Sequence, residues 1–349
     1  MADYYSSAFV FALVGLLGSF QACFSQNTPV SAKNYISWDD FKINFKDLGS
    51  NSGNAYDFSH VIVVDKNGGG NFSTVQGAID MVPEHNTQRV KIYILPGTYR
   101  KPNEEFSSFH FLLFYFVSEN ANVDKNQYGI ALGTYNSASV TVESDYFCAT
   151  RITFENSAVP VRRGQGNQAV ALRIAGDKAM FYKARFLGKQ DTLLDESGTH
   201  FFYKCFIQGR VDFVFGRARS LYKECHLNSI AKRSGAIAAH HRDSPDETGF
   251  SFVNCVITGR GRIYLGRAWG TYSRIIYSYC NISDIIIPKG WSDWDEPSRH
   301  KTVEFGEYHC QGKGADQRRR VSWSKNFTSG EIRPFLGTKY INEEQWLRM

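Results

Sequence analysis

Two aspartates and two glutamines carry the chemistry of this sequence. Asp191 in GKQDTLLD and Asp212 in GRVDFVFG are 21 positions apart, and Gln168 and Gln190 are 22 apart. In a chain that coils with a period of about 20 to 25 residues, each pair stacks on neighbouring strands. Carboxylates stacked in this way lie roughly 5–6 Å apart. Two acids that close cannot both ionise freely, so one is free to donate a proton while the other attacks or acts as a base. The amide N–H groups of Gln168 and Gln190 suit a developing oxyanion. The set fits hydrolysis of an ester or a glycoside. Plainer readings exist for each residue: surface aspartates at turns, and an amide ladder between coils. Arg267 in YLGRAWG fits pairing with one carboxylate and holding it ionised, and equally fits a surface ion pair. Trp269, Phe213 and Phe215 offer faces for a sugar ring, although a core position explains Trp269 as well.

These residues need strands that recur in register. From Ser139 onward short alternating segments repeat: SVTVES, RITFENS, MFYKARFLG, FFYKCFIQG, SLYKECHLNS, FSFVNCVITG and RIIYSYCNIS. Aligning them brings Ala184, Cys205, Cys225, Cys255 and Cys280 into register, with spacings of 21, 20, 30 and 25. A constant strand with loops of unequal length is the signature of a solenoid. The predicted class is all-β, a right-handed single-stranded parallel β-helix with loops walling a substrate groove. A β-sandwich is the alternative, but it gives no reason for segments to recur in register. Upstream, His60–Asp65 and Val90–Leu95 read as strands, and Thr74–Met81 reads as a short capping helix. The turn Lys66–Asn71 between them lacks both G-x-G-x-x-G and the P-loop Lys-Ser/Thr, which argues against a nucleotide site.

The chain has 349 residues with 40 Lys plus Arg against 34 Asp plus Glu, a net charge of +6 that suits an acidic partner such as a polyanionic matrix. The apolar run from Ala8 to Phe20 has the length of a secretory h-region and is too short for a membrane span. Its n-region is atypical, with Asp3 and no Lys or Arg. The expected organisation is a signal peptide over 1–25, a polar linker or arm over 26–59, and one domain over 60–349. Six cysteines remain beyond Cys23, and Cys205 and Cys225 are one coil apart. No C-x-x-C or His cluster marks a metal site. Asn71, Asn281 and Asn326 head N-glycosylation triplets.

With these residues in place the chain resembles the plant pectin methylesterases (pectinesterases). The matching stretches are GQGNQAVAL (164–172), GKQDTLLD (188–195), GRVDFVFG (209–216), YLGRAWG (264–270), PKGWSDW (288–294) and the terminal FGEYHCQGKGA…RVSWS…PF…W. The likeness is nearly continuous from Ser137 to Trp346 and includes VIVVDKNGGGNFSTVQGAIDMVP. With no long inhibitor-like pro-region, it is similar to the shorter members. The resemblance implies a parallel β-helix, and hydrolysis of the C6 methyl esters of homogalacturonan. Carried over, Asp212 is the nucleophile, Asp191 the acid/base, and Gln168 and Gln190 the oxyanion donors. Arg267 orients Asp212 and contacts substrate, as do Thr134, Gln168, Trp269 and Phe213. It further implies a Cys205–Cys225 disulfide, no metal or organic cofactor, secretion to the cell wall, a monomer, and proteinaceous inhibitors as partners. Nucleic acid and membrane are not expected partners. The rival functions are an inactive pectin-binding wall protein and another β-helix pectin enzyme, a glycosidase or lyase.

The likeness breaks in four places. Lys101 stands where a Glu is expected in GTYRK. Residues 102–119, PNEEFSSFHFLLFYFVSE, do not resemble the family and read as an insert that replaces part of one coil, leaving an apolar row exposed. Arg210 stands where Thr is common, and its charge is expected to shift the pH optimum; Ala268 stands where Pro is common.

Overall fold

Seven residues with left-handed backbone fall at the same place in seven successive coils. They are Arg151, Lys183, Lys204, Glu224, Asn254, Tyr279 and His309, with φ between 48° and 57°. Each is followed by a side chain turned toward the interior: Ile152, Ala184, Cys205, Cys225, Cys255, Cys280 and Cys310, all buried except the half-buried Cys310. Each left-handed residue bends the chain from one sheet to the next, and the small or compact residue after it fits the inside of the corner. The register read from Ala184 to Cys280 is therefore a register of corners.

The computed structural model describes residues 35–42, 61–83, 86, 89–100, 110–112, 115–118, 121, 124, 125, 128, 130–159 and 167–349. Residues Lys33–Met349 form one compact unit. The expected signal peptide over 1–25 lies outside the described residues. All the paired strands of the coils run parallel, as a parallel β-helix requires. The first face is a ten-stranded sheet running from Ile62–Val64 to Glu304–Tyr308. A second face begins at Thr98–Arg100, and a third at Val140–Val142. His226–His240 and Val256–Ala268 run unbroken across the corner between these two faces and join them into one sheet of thirteen strands. The predicted helix is present as Val75–Asp80, capped by the Thr74 hydroxyl, and it buries Val75, Ala78 and Ile79.

Side chains stack in rows inside the coils. Phe181, Phe202, Tyr222, Phe252 and Tyr277 occupy one in-register row of the first face. Neighbouring ring centroids are 4.6–4.9 Å apart, with interplanar angles of 4–19°. That spacing is the strand spacing itself, so the backbone ladder and the ring stack reinforce one another. The row ends at Glu307, whose buried carboxylate pairs with Arg320 at 2.6 Å. The outer side of the first face is covered as well. Ile36–Ser37 pairs with Leu347–Arg348, and Ile36, Tyr340, Ile341 and Trp346 pack on Cys148, Met180, Phe201 and Leu221. Part of the expected arm is thus docked rather than loose.

Two expectations need correction. Within the segment 102–119, the described residues 110–112 and 115–118 are paired strands. His110–Leu112 pairs with Ile92–Ile94 on one side and Cys148–Thr150 on the other, and Tyr115–Ser118 pairs with Thr98–Arg100 and Thr153–Asn156. An unfamiliar sequence therefore builds a rung on both faces. Cys205 and Cys225 are buried free thiols, as are Cys255 and Cys280. Each thiol instead donates to a backbone carbonyl of the preceding coil, Cys205 to Phe181 and Cys225 to Phe202.

Candidate active site

The third face carries two identical corners. GKQD and GRVD each begin with a glycine and end in a left-handed aspartate, Asp191 at φ 59° and Asp212 at φ 45°. The glycines are required by close approach. A Cβ on Gly209 would meet the Phe213 Cβ at 2.2 Å, and one on Gly188 would meet the Thr192 hydroxyl at 2.7 Å. Aspartate tolerates the left-handed region better than most side chains, at a cost of roughly 1 kcal/mol. Gln190 bridges Val211, and Leu193 pairs with Val214, so Asp191 lies beside Asp212 in register. Gln168 bridges Gln190 on the coil before. The pairing there slips by one residue, because the N–H groups of Ala171 and Leu172 both donate to the Thr192 carbonyl.

These residues face one cleft of about 300 Å³. It is lined by Thr134, Tyr135, Gln168, Gln190, Asp191, Asp212, Phe215, Ala239, Arg267, Trp269 and Trp294. Its floor is an outward row on successive strands: Leu194, Phe215, Ala239 and Arg267 are in register. Arg267 reaches across to Asp212 with both ends of its guanidinium fork. Nε donates to Oδ1 at 2.8 Å, and the second nitrogen donates to Oδ2. The Arg267 guanidinium also lies 3.8 Å from the centroid of the Trp294 ring. Trp269 packs on His241 at 4.6 Å and on Phe215 at 6.1 Å.

The two acids have unequal surroundings. Burial pushes the Asp191 carboxyl well above the usual carboxylate range, and the neighbouring Asp212 charge raises it further. Burial also raises Asp212, but its hydrogen bonds to Arg267 and the charge of that guanidinium pull it back. Asp212 is therefore the member that ionises first, and Asp191 the member that keeps its proton. The cation that acts on the pair is Arg267, not Arg210.

The structure brings together Asp191, Asp212, Gln168, Gln190, Thr134, Arg267 and Trp269. It does not place Phe213 there. Phe213 is wholly buried in the main core with Val214, and Phe215 takes the cleft position. The left-handed backbone at Asp212 explains this, because it resets the alternation of the strand so that Phe213 and Val214 both turn inward. Trp294 and Tyr135 are cleft residues that the sequence reading did not single out. Trp294 had a signal in the PKGWSDW stretch, and Tyr135 in LGTYN beside Thr134. Among the described residues no three His, Cys, Asp or Glu side chains gather to hold a metal ion.

A sequence model of the pectinesterase family matches residues 61–344. The chain belongs to the pectinesterase family. Pectinesterase QRT1 of Arabidopsis thaliana is 53% identical over 349 residues, spanning 91% of each chain. Probable pectinesterase 8 of Arabidopsis thaliana is 38% identical and covers 92% of this chain and 83% of its own length. Among solved structures, the pectin methylesterase from carrot superposes with a TM-score of 0.73 at 31% identity, covering 82% of this chain and 94% of its own. This pectinesterase is a carboxylic ester hydrolase that acts on the methyl esters of pectin.

Proposed function

We propose that the cleft hydrolyses the C6 methyl esters of homogalacturonan with Asp212 as nucleophile and Asp191 as acid and then base. The observation that carries this assignment is the unequal pair: Asp212 is held by the Arg267 fork, and beside it lies a carboxyl that burial and the Asp212 charge raise well above the usual carboxylate range. Asp212 attacks the ester carbonyl and forms an acyl-enzyme anhydride. Asp191 gives its proton to the departing methoxide, so methanol leaves neutral. The resulting Asp191 carboxylate then takes a proton from water, which cleaves the anhydride, releases the galacturonate carboxyl and restores Asp212. The side-chain amides of Gln168 and Gln190 lie on the Asp191 side of the cleft and suit the tetrahedral oxyanion. Trp269 and Trp294 flank Arg267 and provide flat apolar faces for the uronate rings.

The substrate is methyl-esterified homogalacturonan in the plant cell wall, reached by secretion. The h-region at 8–20 supports secretion, and exposed Asn71, Asn281 and Asn326 are available for N-glycosylation. Among the described residues no helix is long and apolar enough to cross a membrane. We place the enzyme as a monomer, open to proteinaceous inhibitors at the cleft. Methanol and new reducing ends, assayed together on methylated pectin, test the reaction. The expected result is methanol without reducing ends or unsaturated products, and a loss of at least about 10³-fold in Asp212→Ala. Methanol release by Asp212→Ala at wild-type rate would refute the assignment.

A further inference from the structure

A column of cations without ion pairs among the described residues stands at the corner between the second and third faces, on the coil that carries Asp212 and the two after it. Arg210 sits two residues before Asp212, and its backbone N–H donates to the Lys189 carbonyl of the coil above. Below it, the Ala236 N–H donates to the Arg210 carbonyl. On the next two coils the corner carries Lys232 and Arg233, then Arg260 and Arg262. Their placement follows from the strands. Ile230 pairs with Arg260 and Ser234 with Arg262, so three residues bulge opposite Gly261 alone and push Lys232 and Arg233 outward. These four side chains are exposed, and Arg210 is half-buried.

None of these five cations has an ion pair among the described residues. Buried and half-buried arginines elsewhere do: Arg173 with Glu143 and Glu196, Arg274 with Glu304, and Arg320 with Glu307. Arg210 has a buried Nε without a hydrogen-bond partner among the described residues. Stacked like charges repel, so a column of this kind is stabilised by an anion that lies along it. From Arg210 to Arg262 it runs roughly 10 Å parallel to the coil axis, two strand spacings. Arg210 stands two residues before Asp212 in the same corner.

We propose that this corner column binds de-esterified homogalacturonan, the anionic uronate polymer that the enzyme itself produces. The inference rests on the pectin reading of the cleft. Methyl esters are neutral and leave the column unsatisfied. Each hydrolysed ester adds a carboxylate to the chain, and successive carboxylates meet successive cations. The strip therefore recognises stretches that are already processed and holds the polymer beside the reacting acids.

Binding of the full chain to immobilised polygalacturonate tests the proposal, with fully methylated homogalacturonan and polyglutamate as comparison ligands. Methanol release is measured on the same preparations, so failure of the esterase reading is seen separately from failure of the strip. The wild type is expected to hold polygalacturonate more tightly than either comparison ligand, and to release it as salt rises. The combined Lys232→Ala, Arg233→Ala, Arg260→Ala and Arg262→Ala variant is expected to bind about ten-fold more weakly. Replacing the same arginines by Lys, and Lys232 by Arg, is expected to keep affinity within about three-fold. Arg262→Glu alone gives the same direction should the fourfold variant misfold. Unchanged polygalacturonate affinity in a folded Ala or Glu variant overturns the proposal, as does equal affinity for polyglutamate.

Discussion

Asp191 and Asp212 differ in one contact that decides their roles. Both are desolvated, but only Asp212 is gripped by the Arg267 fork. The same arrangement has a stability cost. A carboxyl whose folded-state pKa is raised binds its proton more tightly when folded, so stability falls as pH rises from the unfolded value, about 3.9, through the folded one. Asp191→Asn removes that penalty. The variant is expected to melt about 1–3 °C above wild type at pH 7, with the difference vanishing near pH 3. Its methanol release is expected to fall by about 10²–10⁴-fold. Thermal melts across pH check the first statement, and equal melting temperatures at pH 7 would count against burial as the source of the raised pKa.

Each acid is presented by its corner rather than by a strand interior. Gly188 and Gly209 let the chain fold back on itself, and the left-handed aspartate then turns its carboxylate out over the face. The corner makes a prediction that does not involve chemistry. Gly209→Ala drives a Cβ into Phe213, a core side chain with no room to retreat. The expected cost is about 3 kcal/mol, read as a lower melting temperature, with the Asp212–Phe215 segment misplaced and activity lost in proportion. A wild-type melting temperature for this variant would show that the corner relaxes without strain. The left-handed corner also governs what the sequence revealed. The recurring residue after the first corner gave the coil register, and the two G-x-x-D runs gave the acids. Phe213 was misassigned because strand alternation does not survive a left-handed residue. Trp294 was missed because it sits in a turn, itself left-handed at φ 62°, outside the strand repeat.

Over the whole molecule, stacking makes the rungs interchangeable in sequence but not in position. Residues 110–112 and 115–118 show this: strands from a Phe-rich stretch with no family likeness still pair with the coils on both sides. Composition alone could not reveal that rung, because what a coil requires is backbone pairing and inward apolar side chains. The aromatic row from Phe181 to Tyr277 and the paired Glu307–Arg320 at its end hold the later coils in line, and those coils set Arg267 opposite Asp212. Catalysis in this account depends on that alignment, with an ionised Asp212 and a protonated Asp191 present together. The pH profile of kcat/KM for methanol release, in wild type and Arg267→Ala, tests it most directly. Wild type is expected to show a bell, rising as Asp212 ionises and falling as Asp191 loses its proton. Without Arg267 the rising limb moves to higher pH and the maximum drops by about 10²-fold or more. A rising limb that stays in place when Arg267 is removed would contradict the account.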